Sequence, residues 1–518
     1  MSKTNVRSIA ERVDYCGGNE MAKLVPAWIS TKTEGAALGL VRNNLIRGGA
    51  VHLADRAIWE FLKRTDNPPG MKRDEWLTMR GLLYSFDRSL RKGNISKRAA
   101  RHFIEFAHKR MRAKNPNGEA FKERYGDSPP GFLVISPSRT CNLHCKGCYD
   151  GTEEAPSILP FSTFDRILNE ASDLWGMSFV VISGGEPFMY RSDGKGLLDM
   201  VEAHPELYFL VYTNGTQIDR ETAERMGELG NITPAISVEG KVKTTEDRRG
   251  EGIFGKVMNA FENLRAAGVP FGLSMTATRY NCDELLSDEV VKFYFEEQGA
   301  MYGWIFQYMP IGKNYDLSLM VTPQQRLDLQ RRMWHVIEEK KVFLMDFWNS
   351  GTATHGCLAA GRKAGYFYIT WNGDVTPCVF VPYAGANIHE IYKNGGTIMD
   401  LMEVDFFKGI RNWQYSYGYK TKPAQTKNLI MPCPHRDHID FLLPLIKEHK
   451  ARPINQEAAQ ALTDPKYYEG LHSYDEACAA VLDPVWKKEY LDGALTGNEA
   501  QRLQATDKRM EEEECLKK

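Results

Sequence analysis

Three cysteines stand close together in Ser138-Arg-Thr-Cys141-Asn-Leu-His-Cys145-Lys-Gly-Cys148-Tyr149, a C-x3-C-x2-C spacing. On a regular helix the three thiols would share one face. Pro137, Gly147 and the Asp150-Gly151 pair argue instead for a tight loop. Zinc, with His144 as a fourth ligand, is one chemistry such a loop could serve, although structural zinc sites usually draw on two separated cysteine pairs. The other is a cubane [4Fe–4S] cluster, which takes four thiolates, one per iron. Three thiolates from one loop leave one iron open to a further ligand.

Such a loop needs a scaffold. Short apolar runs at 132–136, 179–183, 207–213, 232–238, 271–278 and 304–308 suggest strands buried on both faces. Helical segments at 161–174, 220–229, 254–267 and 322–340 separate them, which implies a parallel sheet with right-handed crossovers, curved toward a barrel. Ligand-binding residues of such folds gather at the carboxyl ends of strands, and the cysteine loop follows the first run directly. Residues 1–125 read as a helical domain. Within it, 36–64 has helical apolar spacing, and 96–114 carries a stripe of Ala100, Phe103, Ile104, Ala107 and Met111. Residues 115–131 read as a linker. Residues 350–440 are rich in Gly, Asn, Pro and aromatics, with a hairpin expected at Asn372-Gly373. The segment 441–518 is helical and ends in a charged tail.

The C-x3-C-x2-C loop resembles the radical S-adenosylmethionine (SAM) superfamily. That resemblance implies a partial (β/α)6 TIM-type barrel over 132–345, with a [4Fe–4S] cluster held by Cys141, Cys145 and Cys148. It further implies that the open iron chelates SAM, and that one electron cleaves SAM to a 5′-deoxyadenosyl radical that abstracts a substrate hydrogen atom. The family often has an aromatic residue before the third cysteine. Here that position is Gly147, with Tyr149 just after the cysteine. The second strand ends in Ser183-Gly184-Gly185-Glu186-Pro187, similar to the family's GGEP motif, whose backbone and glutamate meet the SAM ammonium. An ammonium offers three donors, so a carboxylate and carbonyls suit it. The third strand ends in Thr213-Asn214-Gly215. The fourth ends in Ser237-Val238-Glu239-Gly240, which resembles the S-x-D-G segment that contacts SAM, with Glu239 one methylene longer than the usual aspartate. Arg248 or Arg249 could pair with the SAM carboxylate.

Farther on, Cys357, Gly373 and Cys378 form C-x15-G-x4-C, which resembles the start of the SPASM and twitch extensions that hold auxiliary iron–sulfur clusters. Gly385-Ala386-Asn387-Ile388 resembles the Gly-Asn-Ile segment that often follows. Cys433 is the third ligand this resemblance implies, and the full seven-cysteine set is absent, so one auxiliary [4Fe–4S] cluster is expected in 350–440. His435, Asp437, a distant cysteine or bound substrate could be its fourth ligand. Zinc at the same cysteines with His435 is the competing reading. Sulfatase-maturating relatives place an acid directly after the G-x4-C cysteine; here it is Val379, so their specific peptide oxidation is not expected. Asp346 and Gln307-Tyr308 are candidate substrate contacts, while Cys282 and Cys478 read as small apolar core residues.

With 66 Lys+Arg against 67 Asp+Glu over 518 residues, the chain has no charge bias toward nucleic acid. No apolar run approaches the roughly 20 residues of a spanning helix. The N-terminus lacks a secretory signal, so a reducing cytoplasm is the expected compartment. Residues 88–114 are strongly basic with only Glu105 in opposition, a solvated face or a dock for an anionic substrate or partner. Helical residues 1–125 do not resemble the winged-helix leader-binding module of many peptide-modifying relatives. The function expected is a radical SAM oxidoreductase or transferase, reduced by a flavodoxin or ferredoxin and acting on a small molecule, lipid or peptide. An iron–sulfur electron carrier or redox sensor is the alternative. It would explain the cysteines but not the glycine and strand-end series.

Overall fold

Runs rich in Val, Ile, Phe and Tyr make seven consecutive parallel strands: β1 (Phe132–Ile135), β2 (Phe179–Ile182), β3 (Tyr208–Thr213), β4 (Ile232–Val238), β5 (Gly272–Ala277), β6 (Tyr302–Gln307) and β7 (Phe343–Asp346). The computed structural model describes residues 44–112, 116–150, 157–312, 315–419 and 421–492. Every residue of β4 is buried, as expected of a strand covered on both faces. The six expected strands all form. The seventh, β7, continues the sheet beyond them.

The expected hairpin also forms and joins the same sheet. Its first strand, β8 (Tyr366–Ile369), runs parallel to β1 on the edge away from β2, with Phe132 opposite Tyr366. β9 (Asp374–Thr376) returns antiparallel through the Asn372-Gly373 turn, and β10 (Ala386–Asn387) completes the edge. The ten strands therefore run β10-β9-β8-β1-β2-β3-β4-β5-β6-β7. The apolar core continues through the hairpin, because Val375, Ile388 and Phe407 belong to the same buried cluster as Ile135 and Ile182.

Among the described residues four helices precede the sheet: α1 (Asn44–Lys63), α2 (Pro69–Arg91), α3 (Lys97–Arg112) and α4 (Pro116–Tyr125). The last of these corrects the expected linker at 115–131. Pro116 stands at the first helical position, where its missing N–H costs nothing, and Phe121 is buried with its ring 4.5 Å from that of Tyr125 one turn on. Crossover helices include α5 (Phe161–Trp175), α6 (Leu197–Ala203), α7 (Arg220–Leu229), α8 (Val242–Arg249), α9 (Ile253–Ala266) and α10 (Pro323–Lys340). Their boundaries have local causes. Asp219 caps α7 by accepting from Thr222 N, and Gly230 ends it in a left-handed turn. Thr322 and Gln325 form a reciprocal capping box at the start of α10. Beyond 436 the described residues are mainly helical, in Ile439–Glu448, Gln456–Thr463 and Pro465–Val485. The start of the 36–64 segment, Lys114, Gly151 and the 511–518 tail lie outside the described residues. Among the described residues no helix is long and apolar enough to cross a membrane.

Candidate functional site

The strand ends meet at the carboxyl edge of the sheet, and close backbone approach brings them together. Gly185 N donates to Ser138 O (3.0 Å) and Glu186 N to Thr140 O (2.7 Å), lacing the end of β2 to the start of the cysteine loop. Gly184 has φ +117°. A β-carbon there would lie 2.6 Å from Ser138 O, and one at Gly185 would lie 2.4 Å from Thr140 O. Only glycine fits at either position. From inside the loop, Tyr149 pairs its hydroxyl with Ser183 Oγ (2.5 Å) and accepts from Gly184 N (3.3 Å).

Together these ends enclose a cavity of about 550 Å3, lined by Cys141, Cys145, Cys148, Gly184, Gly185, Asn214, Ser237, Arg248 and Arg249. Asn214 Nδ2 donates to Asn142 Oδ1 (2.9 Å) and lies 3.9 Å from Cys141 Sγ; Arg249 Nη1 lies 4.0 Å from Cys145 Sγ. The two acids expected at SAM stand behind this wall instead. Glu186 Oε1 accepts from Thr213 Oγ1 (2.7 Å) and Phe188 N (3.2 Å), and Oε2 accepts from Asn214 N (2.8 Å). Burial still pushes its carboxyl up to about 7, against those hydrogen bonds. The Glu239 carboxylate is fully buried. It accepts from Arg248 Nη1 (2.6 Å), Arg249 Nε (2.8 Å) and Thr276 N (3.0 Å). Its extra methylene thus reaches two arginines rather than the cavity, and it aims both guanidinium groups there.

Deeper in, the wall is aromatic: Phe132, Tyr212, Trp304, Phe306, Phe347 and Phe380 line it. Val379, directly after Cys378, lines it too, an apolar side chain at the position expected to lack an acid. Gln307 lines the cavity with its amide fixed at both ends. Its Oε1 accepts from Arg436 Nη1 (2.8 Å), and its Nε2 donates to Asp346 Oδ2 (2.8 Å). Tyr308 lines the cavity as well, and its hydroxyl accepts from Asp316 N (3.1 Å). Asp346 faces the second cavity, its other bonds going to the Trp348 and Asn349 amides.

Cys357, Cys378 and Cys433 converge on that second, smaller cavity of about 50 Å3, which shares Trp304, Met345, Phe347 and Phe380 with the first. Of the expected fourth ligands, neither His435 nor Asp437 lines it. His435 is occupied at both nitrogens, Nδ1 with Phe380 O (2.6 Å) and Nε2 with Tyr467 Oη (3.2 Å); burial lowers it to about 4. Asp437 accepts from Arg326 Nη1 (2.6 Å), Arg436 Nε (3.2 Å) and Cys433 N (3.2 Å), and the two guanidinium groups hold it well below the usual carboxylate range. Cys282 and Cys478 are buried away from both cavities, Cys478 beside Leu482 and Trp486.

The donor chemistry of both trios suits iron–sulfur clusters. Among the described residues no three His, Cys, Asp or Glu side chains are arranged to hold a single ion. The thiols of each trio face a cavity. Burial pushes Cys141 up to about 12 and Cys357 up to about 11, so these thiols ionise only against a cation. Backbone amides already point at the sulfurs: Leu143 N at Cys141 (3.4 Å), Ala359 N at Cys357 (3.4 Å), Phe380 N at Cys378 (3.4 Å) and Arg436 N at Cys433 (3.5 Å). For SAM, Arg248 Nε is buried without a partner in the wall of the first cavity. One contact escaped the sequence reading: Tyr366 Oη lies 2.9 Å from Cys378 Sγ. The run Tyr366-Phe-Tyr-Ile signals a strand, and nothing in it signals a sulfur contact.

Residues 135–286 match the profile of the Radical SAM superfamily. The AdoMet-dependent heme synthase of Methanosarcina barkeri is 24% identical over 54% of this chain and 87% of its own length. The Fe-coproporphyrin III synthase of the same organism is 27% identical over 38% of this chain and 45% of its own length, so less than half of that relative is spanned. Sporulation killing factor maturation protein SkfB of Bacillus subtilis is 27% identical over 51% of this chain and 66% of its own. Among solved structures, Streptococcus suis SuiB bound to S-adenosylmethionine aligns with a TM-score of 0.50 at 19% identity, covering 67% of this chain and 84% of that one. At that identity the likeness is one of fold.

Proposed function

We propose that the chain, whose residues 135–286 match the Radical SAM superfamily, cleaves SAM reductively and abstracts a hydrogen atom from an uncharged, apolar or aromatic part of its substrate. The observation that carries this reading is the cavity itself: three thiols and two aimed arginines at one end, an aromatic wall at the other. A cluster held by Cys141, Cys145 and Cys148 would supply the electron and the open iron. Gly184 and Gly185 offer backbone polar groups to the SAM ammonium, Asn214 and Ser237 its ribose side, and Arg249, backed by Arg248 and Glu239, its carboxylate. Glu186 acts from behind, fixing the ends of β2 and β3. A second cluster rests on Cys357, Cys378 and Cys433. In this division 1–125 and 441–518, mainly helical over their described residues, flank 132–345 as the catalytic barrel and 350–440 as the auxiliary region.

The substrate reading follows from charge. The cavity's cations, Lys146, Arg248 and Arg249, stand on the cysteine loop and at the end of α8, and Asp150 is the one carboxylate among its described lining residues. The far wall offers aromatic faces and Gln307. A polyanionic substrate would leave its charges unpaired there, whereas an aliphatic or aromatic side chain, as in a peptide, would fit. An electron carrier needs no such cavity. The reductant would be a flavodoxin or ferredoxin, and the compartment a reducing one.

The test is anaerobic turnover of reconstituted protein with dithionite and SAM, quantifying 5′-deoxyadenosine. Wild type should produce it, and a Cys141→Ala/Cys145→Ala/Cys148→Ala variant should not. A fully loaded, reducible protein that makes none, even with peptides bearing apolar side chains, would sink the proposal.

A further inference from the structure

Each auxiliary cysteine receives a backbone N–H from two or three residues further on, a donor that side-chain replacement cannot remove. Cys378 receives a tyrosine hydroxyl as well, at a shorter distance than any of those amides. Tyr366 opens β8, directly opposite Phe132 of β1, with the two rings stacked 4.9 Å apart at 18°. Tyr366 lines the larger cavity, and its hydroxyl lies against the sulfur of a cysteine that lines the smaller one. One side chain therefore spans the partition between the two sites. The direction of the hydrogen bond follows from the partners. A metal-bound thiolate carries no proton, so the phenol proton goes to sulfur.

Resting on the auxiliary-cluster reading above, we propose that Tyr366 is a positioning residue that sets the reduction potential of the cluster held by Cys357, Cys378 and Cys433, by donating its hydroxyl to the Cys378 thiolate. Reduction adds negative charge to the cluster and its sulfurs. A donor aimed at a thiolate stabilises the reduced state more than the oxidised one and raises the potential. The amide donors give the cluster a base level that the fold fixes. The phenol adds an increment from a wall that substrate also touches.

The test uses full-length protein carrying Cys141→Ala/Cys145→Ala/Cys148→Ala, so that only the auxiliary cluster remains, with Tyr366→Phe added to it. Redox titration followed by electron paramagnetic resonance should show a lower midpoint for the Phe variant at equal iron and sulfide content. At the parent's midpoint the oxidised-to-reduced ratio should rise about tenfold, which is 59 mV for a one-electron couple. Tyr368→Phe is the control. It removes a buried hydroxyl from the same strand, but that hydroxyl bonds Ser136 Oγ (2.8 Å) and no sulfur, so the midpoint should stay. An unchanged midpoint in Tyr366→Phe with the cluster intact overturns the inference alone. A parent that assembles no cluster overturns the auxiliary-cluster reading and this inference with it. Should the Phe variant lose its cluster, proton double resonance on the parent in H2O and D2O decides. A strongly coupled exchangeable proton, nearer than the amide protons, supports the hydroxyl bond, and its absence overturns it.

Discussion

A β-carbon on residue 185 would stand 2.4 Å from one loop carbonyl and 2.6 Å from the next, so the end of β2 and the cysteine loop can touch only through glycine. Both obstacles are backbone oxygens, and neither can rotate away. Gly185→Ala should therefore push the loop off the strand end. Iron content of the Cys141/Cys145/Cys148 site should fall to a small fraction of wild type, while the iron of the other three cysteines persists. Parallel iron and sulfide assays on this variant and on the triple-alanine variant check this; full loading of Gly185→Ala would refute it. Glu239 makes a second residue-scale case. Its buried carboxylate compensates two arginines at the cavity wall, and removing one partner of a buried pair costs about 3–5 kcal/mol. Glu239→Gln should lose about 3 kcal/mol in urea unfolding and bind SAM more weakly, because the arginines lose the group that aims them. Unfolding curves with and without SAM read both effects, and an unchanged SAM-induced shift would leave Glu239 a purely structural acid.

At the scale of elements, the helices before the barrel shape its floor. Phe106 on α3 stacks on Tyr208 at 5.3 Å and meets Phe179 at 5.4 Å, and Phe179 lines the larger cavity. Phe106→Ala should cost about 2 kcal/mol for a half-buried ring and loosen the cavity floor without changing iron content; thermal unfolding alongside iron assay would show the split. Phe106 lies off the stripe read from Ala100, Phe103 and Met111, since three- and four-residue spacing marks a face but not which side chain at its border reaches another element. The strands were legible because Phe179–Ile182 and Ile232–Val238 are apolar throughout, the pattern of a sheet covered on both sides. Phe343–Asp346 was harder: four residues ending in an acid resemble a loop until Gln307 and two amides are seen to satisfy that acid. At 116–125 the composition misled, because Pro and Gly count as turn formers unless a proline opens a helix. Cysteine spacing and strand-end motifs brought the candidate site together. The turning of Glu186 and Glu239 away from the cavity was not legible, since side-chain direction depends on partners far along the chain.

Across the whole molecule, the last helices lean on the auxiliary region through buried charge. Arg326 of α10 bonds Asp437 beside the Cys433 loop, Arg436 passes the chain of bonds to Gln307, and Gln307 passes it to Asp346 of β7. The helix Pro465–Val485 brings Asp475 toward this network. Burial, then the charges of Asp437 and Asp440, push its carboxyl up to about 7, with Arg326 and His472 pulling the other way. The unfolded chain releases this proton near the ordinary value of 3.8, while the folded protein keeps it to about 7. Between those limits the unfolded state binds fewer protons, so this residue makes stability fall as pH rises from about 4 to about 7 and adds nothing further above that. Asp475→Asn removes the titration. The variant should match the parent near pH 4 and exceed it at pH 8 by about 1 kcal/mol, a value reduced from the full shift because the side chain is only half buried. Urea midpoints at pH 4, 6 and 8 test it. Parallel profiles for parent and variant would mean that Asp475 ionises freely and that the negative charge near Asp437 is already balanced by its arginines.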